Sequence, residues 1–365
     1  MLITSINITE ITEAISAHVN EDAALITIGE HTEIDIKELI NQLNTSGVNF
    51  MGGVFPKVIH GNSIFDKGIV INTLNNLESI FLIENISSKN YTIPVVSLDK
   101  NQDYSLFTYV DGLTSNISHY LSELYRNYGM QTSYFGGGAG SLSLEQQPCV
   151  FTNKGIFQDA AIFGILSMSS RIGVKHGWLK IEGPFIITKA EGNIIKEINW
   201  KNPFEVYKEV VEAHSGKTFT DDNFFDIAKG YPFGIVKDNA ECIVRDPLMV
   251  NENGELICVG ELEDNTLVDI LNGSEASLIA AAKSATEESI KQAVNPNKAI
   301  IIDCISRILY LEDNFNKELS AITDTLKEKF PEVSIGGALT LGEISSYGEG
   351  FLEFYNKTTV VGLFE

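Results

Sequence analysis

Gly136, Gly137, Gly138, Ala139 and Gly140 form an unbroken run, and a backbone so short of Cβ atoms can turn several N–H groups toward one ligand oxygen. The same bareness lets packed elements approach closely, so the run reads either as a ligand cradle or as a tight strand–helix crossing. Arg245 and Asp246 stand before Pro247 at the end of an apolar stretch. A guanidinium there can clamp a carboxylate through two parallel hydrogen bonds, or it can be consumed in an internal ion pair with Asp246 or a nearby acid. Asp111 and Asp303 close two apolar runs at positions where α/β proteins hold ligands, and where an aspartate equally well caps a turn. His176 precedes Gly177 and Trp178, a confined and partly apolar setting in which it is either a ligand-binding imidazole or a hydrogen-bonded structural one.

Signatures of catalysis are missing from the sequence. It contains no Gly-x-Ser-x-Gly elbow, no phosphate loop, no dinucleotide fingerprint after a strand and no His-Glu-x-x-His. Cys149, Cys242, Cys258 and Cys304 are widely spaced in mostly apolar surroundings and read as buried thiols, with no Cys-x-x-Cys pair for metal or redox work. A ligand binder without a catalytic role, cofactor or metal is therefore the expectation, and an enzyme of unknown reaction remains an alternative because spatial triads need not be neighbours in sequence.

Composition narrows the partners. With 26 basic against 49 acidic residues, a formal charge of −23, the molecule repels phosphate backbones and anionic lipid, so neither nucleic acid nor membrane is expected as a partner. No apolar run approaches the ~20 residues of a membrane span. Residues 1–20 carry no Lys or Arg to open a secretory signal, so a cytoplasmic location is expected.

The elements that must position these residues recur. A buried strand, an amphipathic helix, a glycine pair and further strands follow one another in the same order three times. The first copy runs from residues 23–29 through Leu39, Ile40 and Leu43 to Gly52-Gly53 and the strand at 67–71. The second runs from 105–112 through Tyr120, Leu121 and Leu124 to the glycine run and the strands near 149–152 and 160–166. The third runs from 299–304 through Leu319, Ile322 and Leu326 to Gly336-Gly337, Phe351-Leu352-Glu353-Phe354 and 359–364. Such units imply an α/β fold of mixed sheets flanked by helices. Between the last two copies lie turn-rich strands at 176–200, a helix opened by Pro203, strands at 241–245 and 255–259 flanking the turn 251–254, and an Ala-rich helix over 275–294. The change of texture places a boundary near residue 200, giving parts of 20–200 and 201–365.

These motifs, in this order, resemble the FIST family. The N-terminal part is carried by the glycine run, Phe151-Thr152-Asn153-Lys154-Gly155 and Lys175-His176-Gly177-Trp178. The C-terminal part is carried by Tyr231-Pro232-Phe233-Gly234, Val244-Arg245-Asp246-Pro247, Asn253-Gly254-Glu255-Leu256 and Phe354-Tyr355-Asn356-Lys357-Thr358-Thr359. The family's glycine segment is often followed by an acid, whereas Ser141-Leu142-Ser143 follows here. The resemblance implies a stand-alone intracellular sensory module that binds a small polar ligand, such as an amino acid, in a cleft between two parts. It would signal through a protein such as a kinase, a cyclase or a chemoreceptor component. The expected ligand-binding set is Gly136, Gly137, Gly138, Ala139, Gly140, Arg245, Asp246 and Asp111. Some relatives resemble haem-containing nitric oxide sensors, which makes haem held by His176 the alternative.

Overall fold

A computed structural model describes residues 1–20, 22–237, 241–291, 293–346 and 352–365. In the first copy the strand Ala23–Gly29 is buried at every position, the pattern of a strand covered on both faces. It pairs parallel with Phe50–Phe55 across the helix Ile36–Thr45, and antiparallel with Ile69–Leu74. The second copy repeats this pairing: Tyr104–Asp111 lies parallel to Thr132–Ala139 across the helix Ile117–Tyr128 and antiparallel to Ala160–Leu166. In the third, Lys298–Cys304 lies parallel to Ser334–Thr340 across the helix Phe315–Lys329 and antiparallel to Thr359–Phe364. The repeated order is thus a repeated topology, and the α/β fold of mixed sheets flanked by helices is the observed one.

The copies exchange hairpins in a ring. Lys57–His60 with Ser63–Phe65, which follows the first copy's parallel pair, adds to Ser334–Thr340 of the third. Val150–Thr152 with Gly155–Phe157 of the second adds to Phe50–Phe55 of the first. Glu343–Ser346 with Leu352–Tyr355 of the third adds to Thr132–Ala139 of the second; Phe351, expected in this strand, lies outside the described residues. Each sheet therefore has one edge covered by its neighbour, and no copy is complete alone. A shared core joins them, with Leu25 and Phe55 from the first copy, Phe107, Tyr109 and Phe135 from the second, and Ile300, Ile302 and Phe364 from the third. Tyr109 makes edge contacts with Phe55 and Phe107, both at 4.8 Å between ring centroids.

A fourth, seven-stranded sheet is inserted before the third copy, from Leu179–Glu191 to Thr266–Asn272. The helix Pro203–Ser215, capped by the Asn202 side chain, packs Tyr207 and Val211 on its inner face. Pro247 alters the expected pairing here. Ile243–Arg245 does not face Leu256–Cys258 across the 251–254 turn; it pairs with Phe233–Ile235, and Pro247–Val250 is the turn's other strand. These two strands form opposite edges of the sheet but are separated by Asp246 alone. The sheet must curl until its edges meet there, because consecutive Cα atoms are only ~3.8 Å apart. Val259 N–H closes the seam on the Asp246 carbonyl at 2.8 Å.

The helix Glu275–Lys291 returns the chain to the third copy, where a short helix, Ile305–Leu311, not anticipated from the sequence, precedes the long one. The inserted sheet and two of the repeat sheets draw strands from both sides of residue 201, so the two sequence parts are interwoven. Among the described residues no helix is long and apolar enough to cross a membrane.

Candidate functional site

The strands Tyr104–Asp111 and Lys298–Cys304 end beside the seam of the inserted sheet, and the space left between them is a cavity of about 610 Å³. Gly112, Leu113 and Ile117 line it from the second copy, Cys304, Ile305 and Leu309 from the third, and Arg245, Asp246 and Glu261 from the inserted sheet. Phe354 and Asn356, before the last strand, complete the wall. The position follows the general rule that open α/β sheets hold ligands beyond the carboxyl ends of their strands.

One side of the wall is polar and buried. Arg245 donates from Nε to the Glu261 carbonyl (2.9 Å) and from Nη1 to the carbonyls of Val244 (3.0 Å) and Phe354 (3.2 Å) and to Asn356 Oδ1 (3.3 Å). Gly260, at φ +82°, lies where a Cβ would press on this guanidinium. Because Asn356 Oδ1 receives the guanidinium, its Nδ2 is turned elsewhere, and that nitrogen has no acceptor among the described residues. Asp246 accepts from Lys357 Nζ through Oδ2 at 3.0 Å, while its Oδ1 has no partner among them. Burial pushes the Asp246 carboxyl above its ordinary range, and Lys357 opposes the rise. Lys357 Nζ also donates to the Lys229 carbonyl (2.9 Å) and lies 4.8 Å from the Trp178 ring centroid.

Beneath this wall lies a second buried network. Arg307 grips Glu318 with two bonds of 2.8 and 2.6 Å and donates to the carbonyls of His176, Lys357 and Leu278. Asp303 accepts from Thr359 Oγ1 at 3.0 Å, and Glu343 accepts from Thr340 Oγ1 and Thr358 N–H. Burial raises both carboxyls well above their ordinary values, and neighbouring carboxylates, Glu318 for Asp303 and Asp303 for Glu343, add to the rise. Cys304 sits between this network and the cavity. Burial and the charge of Glu343 push its thiol up, which keeps it protonated and poorly nucleophilic.

Arg245 and Asp246 thus line the cavity, but the other expected residues do not. Gly136, Gly137, Gly138 and Ala139 belong to the buried strand Thr132–Ala139. Gly138 N–H is spent on the Gly342 carbonyl and Gly140 N–H on the Val54 carbonyl. A Cβ on Gly136 would overlap the Thr108 carbonyl of the parallel neighbour, so close strand packing accounts for this glycine. Asp111 accepts from Leu113 N–H at Oδ1, and from the Gln146 side chain and Asp159 N–H at Oδ2; it fixes three loops instead of facing the cavity. His176 Nδ1 accepts the Trp178 N–H at 2.8 Å, placing the ring proton on Nε2, which is 3.2 Å from Cys242 Sγ and 3.4 Å from Glu241 Oε1. Both ring nitrogens are engaged, and burial lowers the imidazole pKa to about 4. Among the described residues no cluster of His, Cys, Asp and Glu is arranged to hold a metal ion.

Sequence reasoning missed Asn356, Glu261 and the leucines at 142 and 144. The polar Asn356-Lys357 pair between two apolar strands was the available signal. Glu261 carries none, since only the closing of the inserted sheet brings it to the cavity, and the leucines reach it from the loop after Thr132–Ala139.

No curated protein matches the chain. The model of the FIST N domain matches residues 22–201 and that of the FIST C domain matches residues 203–346. The chain belongs to the FIST family, whose domains are sensory modules of signal transduction.

Proposed function

We propose that this protein senses a small ligand bearing both an amino group and a carboxylate, bound in the cavity between the second copy, the third copy and the inserted sheet. The observation that carries the reading is the pair of buried polar atoms on cavity-lining residues, Asp246 Oδ1 and Asn356 Nδ2, that have no partner among the described residues. A buried acceptor or donor left unpaired costs about 1–3 kcal/mol, which a ligand recovers by supplying the missing partner. An ammonium group suits Asp246; a carboxylate suits Asn356 Nδ2 and the Arg245 Nη2 that the guanidinium's internal bonds leave over.

Binding is favoured over turnover because burial holds the thiol on the wall protonated and poorly nucleophilic. Occupancy would be read by a signalling partner through the surface around the cavity. Thermal-shift screening with amino acids, followed by calorimetry, tests the proposal: a zwitterion raises Tm in the native protein and fails to do so in Asp246→Asn. Equal shifts in both proteins, or stabilisation by neither the amine nor the acid function, would refute it.

A further inference from the structure

We propose that the ligand is an amphiphile, with its zwitterionic head at Arg245, Asp246 and Asn356 and an unbranched apolar tail lying across the cavity to Leu142 and Leu144. This rests on the head-group reading above and adds the class of the remainder of the molecule. Volume is the first ground. At roughly 30 Å³ per water-sized group, 610 Å³ has room for about twenty non-hydrogen atoms, several times what alanine occupies. A free small amino acid would leave most of the space without contacts.

The second ground is the character of the walls. Beyond Arg245, Asp246 and Asn356 the lining carries Leu113, Ile117, Leu248, Ile305 and Leu341, with small polar residues such as Thr114, Ser118 and Ser306 between them. Those five apolar side chains give a methylene chain a surface on which it gains by leaving water.

The third ground is the rim. Leu142, Leu144, Phe225 and Leu309 are 38%, 59%, 37% and 44% exposed, and all four line this cavity. They come from three separate segments of chain, so their gathering is a property of the cavity and not of one apolar loop. Exposed apolar side chains scattered singly need no explanation, but a cluster around one opening is a surface that an apolar occupant would cover. Leu144 is moreover held at φ +57°, in the left-handed region that a leucine enters at a cost of about 1–3 kcal/mol. The loop is fixed in that form by Leu142 N–H on Glu30 Oε2, Ser143 N–H on Ser141 Oγ and Leu144 N–H on the Ser141 carbonyl.

The test is a homologous series with one head: alanine and the 2-aminohexanoic, 2-aminooctanoic and 2-aminododecanoic acids, each below its micelle concentration, titrated into the full chain by calorimetry. Affinity should rise about fourfold per added methylene until the cavity is filled. Leu144→Asp, a substitution at an exposed position that leaves the core intact, should flatten that dependence, with a loss of affinity that grows with chain length. Affinity that does not change along the series, yet is abolished by Asp246→Asn, overturns the tail and preserves the head-group reading. If dodecanoic acid and dodecylamine bind as tightly as 2-aminododecanoic acid, and Asp246→Asn has no effect, the head-group reading falls and the apolar site stands alone. Failure of every member to bind overturns both.

Discussion

Asp246, the residue at which the inserted sheet meets its own edge, is tied to Lys357 of the third copy by an ion pair of 3.0 Å from which solvent is excluded. The pair joins the inserted sheet to the last strands of the repeat, and Trp178 lies against the ammonium on another side. One contact therefore links the cavity's polar wall to the framework that surrounds it.

Removing one partner should expose how much this link carries. Lys357→Met leaves Asp246 buried and uncompensated, and urea unfolding should show a loss of about 3–5 kcal/mol. Asp246→Asn combined with Lys357→Met should recover a large part of that loss, because no buried charge then remains. Equal stability of the single and double variants would mean that water reaches Asp246 and screens it.

His176 gives a pH dependence of known sign. Its folded pKa is lowered to about 4, chiefly by burial, with Glu241 opposing and Arg307 and Lys175 assisting. Above the unfolded value of 6.5 both states are neutral, so the stability is fully present there. As pH falls from 6.5 toward 4 the unfolded chain takes up the proton first, and up to about 3 kcal/mol is lost. The difference in unfolding free energy between the native protein and His176→Gln should narrow over this window. With both ring nitrogens engaged, added haem is expected to give no Soret band that depends on His176.

The glycine run makes a contrasting prediction. Gly136→Ala must push against the Thr108 carbonyl, and a loss of about 2–4 kcal/mol in unfolding free energy is expected. Affinity for a zwitterion, measured well below the lowered Tm, should stay close to that of the native protein. A selective loss of affinity at unchanged stability would instead return the run to the binding site.

The placement of the glycine run and of Arg245 and Asp246 shows what is legible in the sequence and what is not. The strand, helix and glycine order was readable because local spacing determines it, and Tyr120, Leu121 and Leu124 do face the core. The hairpin exchange was not, since the attachment of Val150–Thr152 to Phe50–Phe55 is a pairing between remote segments that each look like ordinary strands. For the site, Arg245 and Asp246 stood out as charges at a strand end beside Pro247, and they line the cavity. The glycine run stood out for the same kind of reason, yet backbone crowding explains Gly136 equally well in composition. Composition does not distinguish a glycine that faces a ligand from one that faces a neighbouring strand.

Glu261 supplies the prediction that bears on signalling. Its backbone carbonyl accepts Arg245 Nε, while its side-chain Oε1 accepts the Asn116 N–H at 2.9 Å. A single residue thus connects the guanidinium on the polar wall to the opposite wall, where the helix Ile117–Tyr128 begins. A ligand carboxylate that draws Arg245 toward itself must act on this residue, and through it on the second copy. Glu261→Ala keeps the carbonyl and deletes the cross-cavity bond, so ligand affinity should fall by roughly tenfold. Hydrogen exchange offers the sharper readout: ligand-induced protection at residues 112–118 should disappear in Glu261→Ala and persist in Glu261→Gln, whose amide oxygen still accepts the bond. Protection that survives the alanine substitution would show that the two walls are coupled by some other route.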